Sequence, residues 1–165
     1  MPYIVPSDGD PQYLDATAVS MKDVLAKLGE AKAREVLAIV DSCFSGAGGR
    51  SVLPPGARPL VRVKETTAPA QLALFSASSG SEISGPAPGG EGGLFTKYVI
   101  DGLGTGAADM NGDGQVSLGE LSQWVTPRVS RDAKKDNRDQ NPSLNVGKGL
   151  GSADSFIVEW GLPAK

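Results

Sequence analysis

The sequence predicts an α/β fold built around a mostly parallel sheet, and two kinds of segment lead to that prediction. Residues 36–40, VLAIV, and 72–76, LALFS, are short apolar runs of the kind that form strands buried on both faces. Residues 20–28, 94–101 and 117–135 place apolar side chains at helical spacing. Strands that alternate with helices favour parallel pairing, with functional loops at the carboxyl ends of the strands.

The first half of the chain is predicted to contain one helix and one strand between long loops. Residues 3–5 form a short apolar piece before a turn rich in Pro, Asp and Gly. Ser20 is expected to cap the first helix and Gly29 to end it. The strand that follows leads into the polar turn 41–46. Residues 47–70 combine repeated Gly and Pro with four basic residues and predict an exposed basic loop, a length that is uncommon unless the loop is functional.

The second half predicts two further helices and a last strand. A loop rich in Gly, Ser and Pro at 78–93 separates the second strand from the helix 94–101. The helix 117–135 turns a row of apolar residues toward a core, and Pro127 is expected to kink it. A short strand is predicted at 143–146.

Composition excludes several classes of protein. A chain of 165 residues suits one domain, and it has no apolar run near the ~18 residues that a membrane span requires. The net charge of −3, without a Lys/Arg stripe interleaved with aromatics, argues against nucleic acid as the main partner. One cysteine and no signal-like leader predict a reducing compartment, the cytoplasm.

The single cysteine lies where a nucleophile is expected. Cys43 follows the first predicted strand by three residues, in the turn Asp-Ser-Cys-Phe-Ser-Gly. At the carboxyl end of a strand, backbone N–H groups can converge on an oxyanion and the thiol can be reached from solvent. A lone cysteine is more often a buried structural residue. The position of Cys43 favours the functional interpretation.

Five segments occur in a characteristic order: VLAIVDSCFSG, LALFSASSGSE, GGLFTKYVIDGL, a Ser-Leu-Gly-Glu-Leu helix and RDQNPSL. Together they resemble the caspase-like cysteine peptidases, especially bacterial members related to metacaspases. The match covers about residues 2–146, and its Asp-Ser-Cys-x-Ser-Gly core is fairly specific. The resemblance implies a caspase-like three-layer sandwich with a mostly parallel sheet, which is incomplete in this chain.

The resemblance implies roles for two residues of the turn. Cys43 would be the nucleophile, and its own N–H would belong to the oxyanion hole. Asp41 stands where caspases carry the Gln of their Gln-Ala-Cys signature. A carboxylate at the base of the specificity pocket would favour Arg or Lys at the cleaved position and repel Asp. As an alternative, Asp41 caps the turn that follows it.

The resemblance also divides the chain into parts. Residues 1–46 correspond to the end of a large subunit, 47–70 to a linker loop and 71–146 to a small subunit, while 147–165 form a tail of unknown role. The tail carries enough apolar surface to dock. Segment 76–82 is expected to line the substrate cleft. The linker is either a solvated loop or a site of self-cleavage at one of its basic residues: Arg50, Arg58, Arg62 and Lys64.

The family's catalytic base is a histidine upstream of the segment at which this match begins, and the 165 residues contain no histidine. We therefore expect a His-bearing amino-terminal half or second chain, with two or three more strands, to complete the domain. A homodimer cannot repair the site because every copy lacks the histidine.

Two functions from different classes follow. The first is a cysteine endopeptidase that cleaves peptides or proteins after Arg or Lys. The second is a non-catalytic caspase-fold scaffold or pseudo-protease stabilised by calcium, which gains support if Met1 is the true start of the protein. A redox-sensing thiol is disfavoured because it needs cationic neighbours, and Asp41 is an anion.

Residues 109–120 fit the twelve-position EF-hand pattern. Gly114 at position 6 permits the sharp turn. The predicted Ca²⁺ donors at positions 1, 3, 5, 7, 9 and 12 are Asp109, Asn111, Asp113, the Gln115 backbone carbonyl, Ser117 and Glu120. Alternatively, this segment is an Asp/Asn/Gly turn that only caps the next helix. EF-hands usually occur in pairs, and this loop has no second copy. We predict that Ca²⁺ stabilises the small-subunit half.

Overall fold

The computed structural model describes residues 3–10, 12–42, 68–79, 82, 84–90 and 92–160. Within these ranges the chain has a mixed α/β fold. A 3-10 turn, Ala153–Ser155, precedes the last strand. The strands and α-helices in chain order are β1 (Tyr3–Ile4), α1 (Leu14–Thr17), β2 (Val19–Ser20), α2 (Met21–Gly29), β3 (Val36–Val40), β4 (Leu72–Ser76), α3 (Leu94–Gly104), β5 (Gln115–Ser117), α4 (Leu118–Lys135), β6 (Ser143–Val146) and β7 (Ile157–Trp160).

The longer predicted elements are present. The three predicted strands are confirmed residue for residue as β3, β4 and β6. The three predicted helices are confirmed as α2, α3 and α4, although α3 continues past its predicted end at 101 to Gly104. Pro127 lies inside α4, which continues through it to Lys135. No helix in the described part of the chain is long and apolar enough to cross a membrane.

The predicted ends of α2 are right at one terminus and wrong at the other. Ser20 is the N-cap, as expected. Gly29 is not the cap but the last helical residue, and the cap is Glu30 in right-handed helical conformation. A Cβ on Gly29 would lie 2.6 Å from Cβ of Pro69. Glycine is therefore needed here because another segment passes close to the helix, not because the backbone turns left-handed.

The main sheet has the order β3-β4-β6. β3 and β4 are parallel, with Val40 opposite Ser76, whereas β6 runs antiparallel to β4, with Ser143 opposite Ser76. The described sheet is thus mixed, and the prediction of a mostly parallel sheet is wrong for these strands. The reason is the connection: two helices, α3 and α4, lie between β4 and β6, whereas a single crossover helix would return a parallel strand.

Helices cover both faces of β4, whose five residues are all buried. Leu72 and Leu74 pack against Met21 and Leu25 of α2. On the opposite face Phe75 packs with apolar residues of α3 and α4: Leu94, Phe95, Val99, Leu121, Val125, Val129 and Ala133. Because side chains alternate along a strand, one central strand supplies both cores. The predicted α/β class is therefore confirmed.

A polar contact joins α3 to α4 at their solvent side. Tyr98 of α3 donates a hydrogen bond to Asp132 of α4. Arg131 Nε and Lys135 Nζ lie 2.9 Å and 2.7 Å from Oδ1 of the same carboxylate. These three neighbours, Arg131 foremost, hold the pKa of Asp132 well below its usual range. The contact stabilises the helix pair most when Asp132 is ionised.

The carboxyl-terminal tail docks on the rest of the chain, as its apolar content predicts. Phe156 is 5% exposed and packs with Ala73, Leu118 and Leu150. β7 pairs antiparallel with β5, with Ser117 opposite Ile157. The tail therefore touches both the central strand β4 and the segment that precedes α4.

Candidate functional site

The carboxyl end of the sheet brings together three separate segments of the chain. Asp41 follows β3, Ala77 follows β4, and Gln140 lies shortly before β6. The Ala77 N–H donates to the Val40 carbonyl at 2.9 Å, so the parallel pairing extends to the last residue before Asp41. Ligand and catalytic sites of open α/β sheets lie at this end.

Within the described part of the chain, three hydrogen bonds hold Asp41 in place, and the residue remains exposed. Its Oδ1 accepts from Ser84 Oγ at 2.7 Å. Its Oδ2 accepts from the Thr96 backbone N–H at 3.1 Å and from Thr96 Oγ1 at 2.6 Å. Thr96 is the third residue of α3, whose N-cap, Gly93, has no side chain to offer. Asp41 thus caps α3, and its carboxylate has a fixed position that solvent can reach. The turn that follows Asp41 lies outside the described residues from position 43 onward.

Gly93 leaves the space that the Asp41 carboxylate occupies. A Cβ on Gly93 would lie 2.0 Å from Asp41 Oδ2 and 2.8 Å from its Cγ. Gly93 has φ −82° and ψ 145°, a conformation open to any residue. Steric room, not backbone freedom, is therefore what requires glycine at this position.

Gln140 connects the loop after β4 to the segment before β6. It is 1% exposed. Its Nε2 donates to the Ala77 carbonyl at 3.1 Å and to Ser84 Oγ at 3.3 Å, and its Oε1 accepts from the Gly85 N–H at 3.1 Å and from Arg138 at 2.9 Å. One buried side-chain amide thus takes part in four hydrogen bonds. Gln140 therefore fixes Ser84, which in turn contacts Asp41.

A second side-chain contact fixes the segment that is expected to line the substrate cleft. The Asn141 backbone N–H donates to Glu82 Oε2 at 2.7 Å, and its Nδ2 donates to Glu82 Oε1 at 2.5 Å. The Ser79 N–H donates to the same carboxylate at 3.2 Å, and Ser130 Oγ donates to Asn141 Oδ1 at 2.8 Å. These bonds tie the cleft segment to the residues before β6.

Two buried hydroxyls at this end lack a partner among the described residues. They are Ser42 Oγ, beside Asp41 in the chain, and Ser78 Oγ, two residues beyond β4. Ser78 is 4% exposed. Buried hydroxyls are nearly always hydrogen-bonded, so each such group calls for an explanation.

The predicted nucleophile, Cys43, lies outside the described residues, two positions after Asp41 in the chain. The basic residues of the linker lie outside them as well: Arg50, Arg58, Arg62 and Lys64. The described site therefore consists of Asp41 and the groups that hold it.

The EF-hand-like loop, residues 109–120, is held in shape by hydrogen bonds from its backbone N–H groups to its own side chains. Asp109 Oδ1 accepts from the Gly112 N–H at 2.7 Å, and its Oδ2 accepts from the Gly114 N–H at 3.2 Å. Asn111 and Asp113 each accept from the N–H two residues later, at 2.8 Å and 2.9 Å. Gly112 and Gly114 have φ of 78° and 80°, so the sharp turn predicted at Gly114 is confirmed.

Glu120 links the two ends of this loop. It lies in the first turn of α4 and forms a capping box with Ser117. Its Oε1 accepts from the N–H groups of Met110 and Asn111, both at 3.2 Å. Its Oε2 accepts from the N–H and the hydroxyl of Ser117, both at 2.9 Å. The carboxylate at position 12 is therefore directed back toward positions 2 and 3.

The donors of the loop match calcium in chemistry. Within the described ranges no three His, Cys, Asp or Glu side chains are grouped as a metal site, and the carboxylates of this loop accept from backbone N–H groups. The EF-hand pattern also draws on the Asn111 amide oxygen and on the Gln115 carbonyl in β5. Hard oxygen donors of these types, in a loop that glycine bends, are what Ca²⁺ takes. The types of residue present in the loop are therefore those that suit the ion.

The sequence does not single out the partners of Asp41. Ser84 and Thr96 are 43 and 55 residues away along the chain. Gln140 belongs to the RDQNPSL segment, which carries the family resemblance but no individual role. The nearest signal is Gly93, since a glycine at a helix N-cap leaves the helix to be capped from elsewhere.

No protein-family model matches the chain, and no curated protein matches it.

Proposed function

We propose that this chain is the carboxyl-terminal part of a caspase-like cysteine endopeptidase, of the type of the bacterial metacaspases, that cleaves after Arg or Lys. The observation that supports it best is the fixed, exposed carboxylate of Asp41 at the carboxyl end of β3, two residues before Cys43. A specificity pocket for a cation needs a negative group with these properties.

The partners of Asp41 leave its charge available to a substrate. Among the described residues they are two hydroxyls and one helix N–H, all formally neutral, and the N-terminus of α3 contributes only a partial positive charge of about +0.5. A guanidinium or ammonium group can still pair with such a carboxylate, whereas an Asp side chain at the cleaved position is repelled. Basic residues are therefore the preferred substrates.

In the proposed reaction, an imidazole supplied from outside these 165 residues removes the proton from the Cys43 thiol. The thiolate sulfur attacks the carbonyl carbon after the basic residue, and the Cys43 N–H stabilises the oxyanion. The C–N bond breaks as the imidazolium returns the proton to the leaving amine. Water then hydrolyses the thioester, which releases the acid product and restores the thiol.

The exposure of β3 supports a partner that completes the sheet. Within the described residues β3 pairs on one side only, with β4. Ile39 is 42% exposed although it lies in an apolar run of the kind that is normally covered on both faces. An apolar edge strand exposes backbone N–H and C=O groups that can pair with a further strand. The His-bearing amino-terminal half is the partner that we propose for this edge.

We further propose that the loop 109–120 binds Ca²⁺. Asp109, Asn111, Asp113 and Glu120 would hold the ion through their side chains, and Gln115 through its carbonyl. The ion would neutralise the carboxylates of a loop that joins α3 to α4. Its contribution is to the stability of the small-subunit half, not to the chemical step.

Peptide binding tests the specificity part of the proposal without requiring the histidine. Fluorescently labelled peptides that end in Arg or in citrulline, its uncharged isostere, are titrated with the chain. We expect the Arg peptide to bind more tightly and Asp41→Asn to abolish the difference, because a charge pair with an exposed carboxylate contributes up to about 1 kcal/mol. Asp101→Asn removes a charge from the other end of α3 and is the matched control.

Equal binding of the two peptides, or a preference that survives Asp41→Asn, would refute the assignment of Asp41. The absence of histidine from the chain favours the second candidate, a non-catalytic caspase-fold scaffold. That candidate predicts no preference between the Arg and citrulline peptides.

A further inference from the structure

The segment of the calcium loop that runs into α4 is paired with the carboxyl-terminal tail. β5, which contains loop positions 7 to 9, forms an antiparallel ladder with β7. Gln115 is opposite Trp160, and Ser117 is opposite Ile157, with a register irregularity between Val116 and Ser117. In a pair of EF-hands this short strand pairs with the equivalent strand of the second loop. In this chain the strand that pairs with β5 is β7, which follows a 3-10 turn and is not part of an EF-hand loop.

The tail also contacts the first turn of α4, which carries the ligand at position 12. The Leu118 N–H donates to the Phe156 carbonyl at 2.7 Å. The Asp154 carboxylate lies against Gly119, because a Cβ on that glycine would be 2.0 Å from Asp154 Oδ1. A negative charge beside a helix N-terminus is favourable. The tail therefore holds the residues immediately before Glu120 through the backbone and through charge.

The burial of Phe156 anchors these contacts. Its side chain packs with Leu118 of α4, with Ala73 of β4 and with Leu150. β7 thus cannot leave β5 without exposing a buried aromatic ring. Two of the predicted Ca²⁺ donors, the Gln115 carbonyl and the Glu120 carboxylate, lie on elements that the tail fixes.

We propose that residues 152–160 are the second half of the calcium site, a positioning segment that replaces the partner EF-hand and gives the single loop its affinity. This inference depends on the proposed calcium site. A loop whose ligands are held before the ion arrives loses less conformational entropy on binding and binds more tightly. Because coupling between two equilibria is reciprocal, Ca²⁺ strengthens tail docking by the factor by which docking strengthens Ca²⁺ binding.

Calorimetric titration with CaCl₂ measures the first side of this coupling. We expect the full chain to bind Ca²⁺, and Phe156→Ala to weaken the binding about tenfold, within the usual range for coupled sites. Leu150→Ala is the matched control, because it opens the same apolar cluster but lies outside the segment 152–160. We expect it to lower the melting temperature and to leave the dissociation constant unchanged.

Hydrogen exchange of the unmodified chain measures the second side and does not depend on a variant that folds. With saturating Ca²⁺ the amides of 157–160 should exchange about tenfold more slowly than with a chelator, the same factor as in the titration. Unchanged exchange, or equal losses of affinity in Phe156→Ala and Leu150→Ala, would overturn the role of the tail while Ca²⁺ still binds. No binding to the full chain would overturn the calcium site and this inference together.

Discussion

Gly93→Ala is the sharpest test of how Asp41 is positioned. The new methyl group would lie 2.0 Å from Asp41 Oδ2, far inside van der Waals contact, so the carboxylate must move away. The backbone conformation of Gly93 suits alanine, so that no strain is added. The whole effect should therefore come from the bonds that Asp41 loses.

The magnitude follows from three hydrogen bonds. The N–H bond from Thr96 caps α3 and is worth about 1 kcal/mol. The hydroxyl bonds from Ser84 and Thr96 contribute about 1 kcal/mol each, at the low end for a charged acceptor because Asp41 is exposed. The free energy of unfolding should fall by about 3 kcal/mol, which lowers the melting temperature by roughly 6–12 °C.

Thermal and urea unfolding followed by circular dichroism measure this loss. Gly104→Ala, at the other end of α3, is the matched control. A Cβ there has no atom within 4 Å, and alanine favours a helix over glycine, so the free energy of unfolding should rise by up to about 1 kcal/mol. In an Asp41→Ala background the clash is absent, and Gly93→Ala should cost little. An equal loss in both backgrounds would refute the reasoning, because the damage would then not pass through Asp41.

Three other predictions concern the described residues. Because its neighbours lower the pKa of Asp132, its contact stabilises the native chain at pH values above the ordinary Asp range and is lost as the pH falls. Asp132→Asn should therefore be less stable than the unmodified chain at pH 7. Between pH 5 and pH 3 the variant should lose less free energy of unfolding than the unmodified chain. Gln140→Leu should lower the free energy of unfolding by about 2–4 kcal/mol in urea titrations, since it leaves the Gly85 N–H and the Ala77 carbonyl unpaired; a loss below about 1 kcal/mol would contradict the network. Excess Ca²⁺ at about 100 times its dissociation constant should add about 2.7 kcal/mol and raise the melting temperature relative to a chelator, and Glu120→Gln should abolish that shift; equal melting temperatures in the unmodified chain would contradict calcium binding.

The elements that the sequence predicts well are those whose signal is local. A strand of this kind is signalled by its own run of apolar residues, so the ends of β3 and β4 could be predicted to the residue. The turn at Gly114 and the position of Glu120 could be read from a fixed twelve-residue spacing. The start of α4 likewise has a local signal, because Ser117 and Glu120 have the spacing of a capping box.

The features that could not be predicted depend on contacts between distant segments. β5 and β7 are short, and each exists because the other pairs with it across about 40 residues of chain. The direction of β6 depends on how many helices precede it, and its apolar pattern does not report a direction. The partners of Asp41 come from a loop and from the first turn of α3. Gly29 is required by the close approach of Pro69, which no local pattern reports.

Hydrolysis of matched peptides tests the central claim, that Cys43 and Asp41 form the active site of a peptidase directed at basic residues. The protein is purified from its native source, so that a His-bearing chain stays bound, and fluorogenic peptides that end in Arg, Lys or Asp are compared with and without Ca²⁺. We predict cleavage after Arg and Lys, none after Asp, and none in Cys43→Ala. Preferred cleavage after Asp, activity that survives Cys43→Ala, or no cleavage of any peptide would contradict the account.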